Sequence, residues 1–464
     1  MNKIKELEQY TQYLCEVIGH ADRHESLRDY CRGLMLPIAR KSVEPLAAHI
    51  APYGVSAKHQ SLHHFVSKSD WSDETLLARV RDWVLPAMKF EGGVFWIVDD
   101  TGYPKKGKHS VGVARQYCGQ LGKQDNCQVA VSLSVACETA SLPVSYRLYL
   151  PKEWADDEQR RRKAGVPDRV EFATKPEIAV EQMRQLQASG VKPGVVLADA
   201  GYGGDTGFRE AISAFGLVYS VGVKSSVTVW PRGRAPLPLE PHCGVGRPAT
   251  KLRRGPGHKP VSVRELAQGL NARQWQTVCW RQGVNGDMVS RFAAARVRAA
   301  HRDEKRSTLR AEEWLLIEWP DGEPEPTKYW LSTLPSAIQL DELVKTTKMR
   351  WRIERDYQDL KQEFGLDHYE GRSWRGFHHH ATLSIAAYGF LVAQRLNSGA
   401  VKKNAARPKP SALPEDYIPR GSSAGTAPRP RFNRHAAPLA RRRNCADFTP
   451  LPLLRLKHRR FMTQ

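Results

Sequence analysis

The apolar and polar positions divide the chain into regions with different periods. Up to about residue 88 the apolar residues recur at helical spacing. Ile4, Leu7, Tyr10 and Leu14 form one such set, and Leu34 and Ile38 continue it. Pro37, Pro45 and Pro52 punctuate this stretch into short helices. Ser72-Asp73-Glu74 has the form of a helix start, with Leu76, Leu77, Val80 and Val84 on the buried face.

The period changes at Val94. Val94-Phe95-Trp96-Ile97-Val98 is a continuous apolar run, the pattern of a strand buried on both faces, and it leads into Asp99-Asp100-Thr101-Gly102. Further strands are predicted around Gln128 to Val135 and Val144 to Leu150. A helix follows near Pro176 to Ala188, then the strand Val195 to Ala198, which ends at Asp199-Ala200-Gly201. A helix from about Gly207 to Phe215 and a strand from Leu217 to Val223 complete the series. Three neighbouring strands followed by alternating helices and strands predict an α/β fold with a mixed sheet. That is the element order of ribonuclease-H-like folds.

Residues 225 to 325 interrupt this order. They are rich in Trp, Arg, Pro and Gly, and hold strand-like pieces such as Glu313 to Glu318. They read as a β-rich insertion. Tyr329 to Thr333 returns to the main sheet, followed by a long helix from about Leu340 to Phe364 and another from Gly376 to Leu396. The expected organisation is a helical domain over 1–88, whose Arg28, Arg32, Arg40, Lys41 and Lys58 make it a plausible DNA-binding bundle, and an α/β domain in two parts, 89–224 and 326–398. The insertion, 225–325, separates those parts, and a tail covers 399–464.

Charge adds a partner to this picture. The 464 residues include 71 Lys and Arg against 49 Asp and Glu, a formal net charge of +22. Such an excess implies a polyanion, either nucleic acid or an anionic membrane. No stretch reaches the roughly 18 apolar residues that span a bilayer, and Met1 to Tyr10 alternates Lys and Glu with no apolar signal core. The expectation is a soluble intracellular protein whose eight cysteines, none in a Cys-x-x-Cys pair, stay reduced. Residues 401–464 hold 15 Lys and Arg and 3 Asp and Glu, so +12 of the +22 sits there, with 9 of the 30 prolines. This composition reads as disorder or an extended arm, either a solubilising tail or a basic arm that contacts phosphates.

Three carboxylates stand where chemistry on a phosphodiester needs them. Asp100 ends the first apolar strand, Asp199 ends the fourth, and Glu354 lies in the helix after the insertion. A carboxylate at the end of a buried strand is costly unless it is paired or holds a metal. Carboxylates converging from two strands and a helix suit a pair of Mg²⁺ ions, which clamp the attacking and leaving oxygens. At 100° per residue Arg350, Glu354, Gln358 and Lys361 share one stripe, while Ile353, Tyr357, Leu360 and Phe364 share the adjacent buried one. Arg350 and Lys361 are placed to face DNA phosphates. Lys105, Lys106, Lys108 and His109 form a basic loop after Asp100, suited to a nucleic-acid backbone. Each acidic motif taken alone can also be an Asx-capped turn or a surface ion-pair helix. Their joint order on the predicted sheet favours a site.

These residues resemble the DDE transposases of bacterial insertion sequences. The specific likeness is to the IS-seven-oh-one-like group of the IS-four superfamily, in the branch with a Tyr-Arg-Glu-Lys signature on its catalytic helix. Val98 to Gly107 looks like the first-Asp motif, Leu197 to Gly203 like the second, and Arg350 to Glu354 with Lys361 like the third. Gly365-Leu366-Asp367-His368-Tyr369-Glu370, Gly376-Phe377-His378-His379-His380 and Arg40 to Pro45 also match. The likeness covers residues 25 to 395, with one departure. The signature tyrosine falls three residues before Arg350, where this chain has Thr347.

The resemblance implies a ribonuclease-H-like catalytic domain with a β-rich insertion, and metal ligation by Asp100, Asp199 and Glu354. Asp100 is preferred to Asp99 because the family's ligand directly precedes the Thr. It implies Mg²⁺, with Mn²⁺ as a substitute, acting on the element's terminal inverted repeats and on target DNA. On this likeness, cleavage would free a 3′-hydroxyl that attacks the other strand to make a hairpin; the hairpin is then reopened, and the 3′-hydroxyl so regenerated joins target DNA. Pairing of two ends argues for a homodimer in the DNA complex of a bacterial cytoplasm, associated with the nucleoid. Trp314 and Trp319 are candidates to stack on a flipped base, and His378-His379-His380 reads as a helix start near the DNA rather than a set of metal ligands. Two other classes compete: a non-catalytic DNA-binding regulator of the same fold, which would lack a carboxylate, and a simple metal-dependent nuclease.

Overall fold

A computed structural model describes residues 3–239, 244, 250–283 and 286–398. The basic tail expected over 399–464 lies outside the described residues. Five helices open the chain: α1 (Lys3–Cys15), α2 (Asp22–Leu34), α3 (Val43–Ile50), α4 (Val55–Ser67) and α5 (Asp73–Val84). The expected start of α5 is present. Ser72 accepts from the Thr75 backbone N–H, and Leu76, Leu77, Val80 and Val84 are buried.

The sheet begins with β1 (Phe95–Pro104), β2 (Ala114–Cys118), β3 (Lys123–Ala136) and β4 (Ser141–Leu148). Then come α6 (Lys152–Ala155), α7 (Glu158–Ala164), α8 (Lys175–Ala188), β5 (Val195–Ala198), α9 (Ala200–Gly203), α10 (Thr206–Ala214) and β6 (Tyr219–Val223). The insertion contributes β7 (Thr228–Pro231), β8 (Val261–Ser262), α11 (Val263–Gln268), β9 (Gln276–Gly283), β10 (Gly286–Ala299) and β11 (Glu313–Trp319). The chain returns through β12 (Lys328–Ser332) to α12 (Leu340–Lys348), α13 (Trp351–Gln362) and α14 (Trp374–Asn397).

β1 pairs antiparallel with β3 and parallel with β5, and β5 pairs parallel with β6. With β4 on the outer edge of β3, the order β4-β3-β1-β5-β6 is the mixed five-stranded sheet of ribonuclease-H-like folds. The insertion does not form a separate sheet. β12 joins β6, and β11, β10, β7 and β8 continue outward, so the described strands form one 12-stranded sheet. Its β-rich character agrees with the composition of residues 225–325.

The single helix expected over 340–364 is two. Between α12 and α13 the backbone makes tighter bonds, from Met349 N–H to Thr346 O, Arg352 N–H to Met349 O and Ile353 N–H to Arg350 O. The buried stripe is as expected: Ile353, Leu360 and Phe364 are fully covered and Tyr357 nearly so.

The N-terminal helices share their core with α14. Tyr10 donates to the Ala386 carbonyl at 2.9 Å, and Tyr30 meets His380 Nδ1 at 2.9 Å. His378-His379-His380, expected at a helix start, lies in the first turns of α14 with all three side chains interior. His378 accepts from the Leu148 N–H, and His380 Nε2 donates to the Gly365 carbonyl. The His379 ring stacks on Trp71 at 3.5 Å between the Val66 and Trp71 carbonyls. Among the described residues no helix is long and apolar enough to cross a membrane, and the six described cysteines are unpaired.

Candidate functional site

Side chains alternate across a strand, so Asp99 and Asp100 leave β1 on opposite faces. Phe95 and Ile97 pack with Leu197, Ile353 and Tyr357, which makes theirs the face under α13. Asp99 continues that row. Its cross-strand partner Ser132 bonds to the Tyr357 hydroxyl of α13 at 2.8 Å. Trp96 and Val98 lie in the other core, with Ile178 and Met183 of α8. Asp100 belongs to their row, and there it receives Lys175 Nζ at 2.9 Å and the Tyr202 hydroxyl at 3.4 Å.

Asp199 follows β5, the parallel neighbour of β1. Ile97 pairs with Leu197 in register, so two residues further on Asp99 and Asp199 lie on one row and one face. Asp199 also caps α9. Its Oδ1 accepts from the Gly201 N–H at 2.9 Å and the Tyr202 N–H at 3.3 Å. Oδ2 has no partner among the described residues. The tight turn after Asp199 depends on two glycines, because a Cβ on Gly203 would stand 2.0 Å from the Gly222 carbonyl oxygen and one on Gly222 would stand 2.9 Å from the Ala200 nitrogen.

Arg350 joins these acids to the helix. It donates to Asp99 Oδ2 at 2.7 Å and to Glu354 Oε1 at 3.3 Å. The Asp99 side chain is 13% exposed and that of Glu354 67%. Burial raises the Asp99 carboxyl to about 7, with Arg350 opposing and Asp199 and Asp100 adding to the rise. Burial works against the Arg350 charge, yet Asp99, Asp199 and Glu354 together hold its pKa above the ordinary value.

The structure thus brings together Asp99, Asp199, Glu354 and Arg350, and sets Asp100 on the opposite face. The resemblance favoured Asp100 from its place before Thr101; strand alternation turns its carboxylate away from α13. Hard carboxylate oxygens of this kind suit a divalent cation. Among the described residues no three His, Cys, Asp or Glu side chains already stand close enough to hold one. Arg350 fills the space between Asp99 and Glu354 and supplies the positive charge there.

The other expected contacts divide. Lys361 donates to the Gly102 carbonyl at 2.9 Å, and Lys105 to the Tyr369 carbonyl at 2.9 Å. Burial lowers both pKa values, with Asp367 opposing. Both lysines brace the chain. Lys106 is exposed. In the N-terminal region Lys58 pairs with Glu25 and Asp29, Arg40 with Glu370, and Lys41 is buried. Thr347 is 3% exposed and bonds to Ser220 at 2.6 Å. Trp314 and Trp319 are half-buried, with their indole N–H groups on the Pro335 and Glu323 carbonyls.

Asp356 escaped the sequence reading. It accepts from Ser141 at 2.6 Å and Tyr388 at 2.7 Å, tying α13 to β4 and α14. Burial raises it to about 6. Lys175 escaped too, since nothing in a helix start announces a partner 75 residues earlier.

The family model described as DDE superfamily endonuclease matches residues 13–287. The chain belongs to the DDE superfamily of endonucleases. The match includes both strand-borne acidic motifs of this DDE-superfamily chain and ends before Glu354. A curated relative, named as a probable transposase for insertion sequence element IS701 of Microchaete diplosiphon, is 31% identical over 232 residues. That alignment takes in 49% of this chain and 57% of the relative, so the chain spans just over half of the relative's length.

Proposed function

We propose that this DDE-superfamily protein is a DNA transposase, which cleaves the ends of an insertion sequence by divalent-metal-dependent hydrolysis and joins the freed 3′-hydroxyl to target DNA. The observation that carries the reading is the placement of Asp99 and Asp199 on one row of parallel strands, with Arg350 linking Asp99 to Glu354. Asp99, Asp199 and Glu354 are the ligands in this reading, in place of the Asp100 set. When bound, Mg²⁺ ions supply Lewis acidity toward the phosphoryl oxygens.

The chain's own groups do the rest. β1 and β5 fix two carboxylates against the sheet, and the Gly201 and Tyr202 N–H groups orient Asp199 through Oδ1. The exposed Glu354 approaches from α13. Arg350 stays within reach of any phosphate brought to these acids, as a donor fork. The IS701-type relative supports transposition as the use of this chemistry. The terminal repeats as substrate, pairing of two ends by a homodimer and action in a bacterial cytoplasm belong to the same proposal.

The test is Mg²⁺-dependent cleavage of a duplex carrying the element's end. Asp99→Asn, Asp199→Asn and Glu354→Gln should each lower the rate by on the order of 10³-fold or more, as for groups acting in the transition state. Asp100→Asn should stay within about tenfold. Loss on Asp100→Asn with cleavage kept in Asp99→Asn would move the ligand to Asp100. Equal cleavage by all variants would end the reading.

A further inference from the structure

A cleft of 390 Å³ opens beside the end of α4, the loop after β1, α7 and the loop before α14. Lys68, Lys108, Arg160, Lys163, Arg372 and His109 line it, and no Asp or Glu does. Several acids close by in sequence are engaged elsewhere, Glu370 with Arg40 among them. Asp70 holds Arg375 at 2.9 Å, Asp157 caps α7 through the Arg160 N–H at 2.9 Å, and Glu158 holds Arg162 at 2.5 Å. Among the described residues Lys68, Lys108, Lys163 and Arg372 have no carboxylate partner. Cations elsewhere in the N-terminal region, such as Lys58 and Arg40, do.

The cleft walls are held in place. The Arg160 guanidinium lies over the Trp154 ring at 3.8 Å, and the Trp154 indole donates to the Val113 carbonyl at 2.8 Å. The Val111 N–H bonds to the Arg372 carbonyl at 3.0 Å, tying the loop after β1 to the one before α14. Five cations on fixed walls repel one another, and among the described residues no carboxylate lines the cleft to offset them. Duplex DNA offers one negative charge per roughly 1.7 Å of its axis. The cleft also follows from the catalytic strand. Pro104 ends β1 five residues, about 17 Å, beyond Asp99, and the loop lining the cleft starts there.

We infer that this cleft grips the phosphate backbone of the duplex whose scissile strand reaches Asp99 and Asp199. The inference rests on the DNA reading above and adds the surface that holds the duplex. The contact is to backbone, so it is indifferent to sequence.

The experiment uses the full chain and a 30-base-pair duplex of random sequence, with the dissociation constant read by fluorescence anisotropy across a salt series. The triple variant Lys68→Gln/Lys163→Gln/Arg372→Gln should bind roughly 10- to 100-fold more weakly at low salt. Its slope of log affinity against log salt should be shallower by about 3, near one per lost phosphate contact. A control triple on other surfaces, Lys5→Gln/Lys89→Gln/Lys192→Gln, should leave that slope near the wild-type value. A second readout needs no variant: duplex should shield Lys68, Lys108 and Lys163 of the wild-type chain from acylation. An unchanged slope in the first triple, or full acylation of all three lysines under saturating duplex, overturns the cleft assignment while DNA binding stands. Absence of any wild-type binding to duplex overturns the DNA reading itself.

Discussion

Arg350 donates a 2.7 Å hydrogen bond to Asp99, a residue 251 positions earlier in the chain. Removing one partner of a largely buried pair leaves the other charge without compensation, at a cost of up to about 3 kcal/mol for groups that keep some solvent access. Arg350→Gln should therefore lower stability in urea. Adding Asp99→Asn should restore most of the loss, since the orphaned charge is then gone. A double variant whose loss equals or exceeds the sum of the singles would show that the pair is not the source.

The turn after Asp199 gives a second prediction. A Cβ on Gly222 would press on backbone at Ala200 and Asp199 rather than on a pliable side chain. Gly222→Ala should shift the Asp199 carboxylate and reduce cleavage by about 10²-fold, the scale of a displacement near 1 Å. The thermal midpoint should fall by only a few degrees. Full activity in that variant would mean that the turn tolerates the methyl.

The departure at Thr347 is open to the same kind of test. The site is 3% exposed and its hydroxyl meets Ser220. Thr347→Val should cost about 1 kcal/mol, one buried hydrogen bond. Thr347→Tyr, which restores the signature residue, should cost about 1–3 kcal/mol by overpacking. Neither should change duplex affinity per folded molecule, measured by anisotropy.

His380 predicts an acid-sensitive fold. Burial lowers its pKa to about 4, and it is held neutral between Tyr30 and the Gly365 carbonyl. Between that value and the unfolded value near 6.5 the unfolded chain binds the extra proton. Stability should accordingly fall as pH drops through this window, by on the order of 1–3 kcal/mol for this residue. His380→Gln should flatten the dependence in urea titrations at pH 7.5 and 5. His379, also lowered to about 4 by burial, adds in the same direction.

The strand and helix framework was legible in the residues because each element carries its own period. Val94 to Val98 announced β1, and Ile353, Tyr357, Leu360 and Phe364 announced the packed face of α13. The choice between Asp99 and Asp100 was not legible from the motif alone. β1 continues to Pro104, so both aspartates lie within the strand and face parity decides between them. Parity becomes readable only once Ile97 is known to lie under α13. Lys105 and Lys361 read as DNA contacts because a charge shows in sequence and its partner does not; their partners are carbonyls of Tyr369 and Gly102. The insertion's continuation of the main sheet was hidden likewise, since β6 meets β12 only across the whole length of that insertion.

The union of α1–α5 with α14 has a consequence in time. Tyr10 and its acceptor Ala386 are 376 residues apart. At a synthesis rate of 5–20 residues per second, the first helices wait roughly 20–75 s for the one that covers them. During that interval α1–α5 can pack on one another, but the part of their apolar surface that α14 covers has no partner from the same chain. A copy of the gene that stops short of Trp374 never supplies one. Its product is then a client for chaperones and proteases rather than a folded protein.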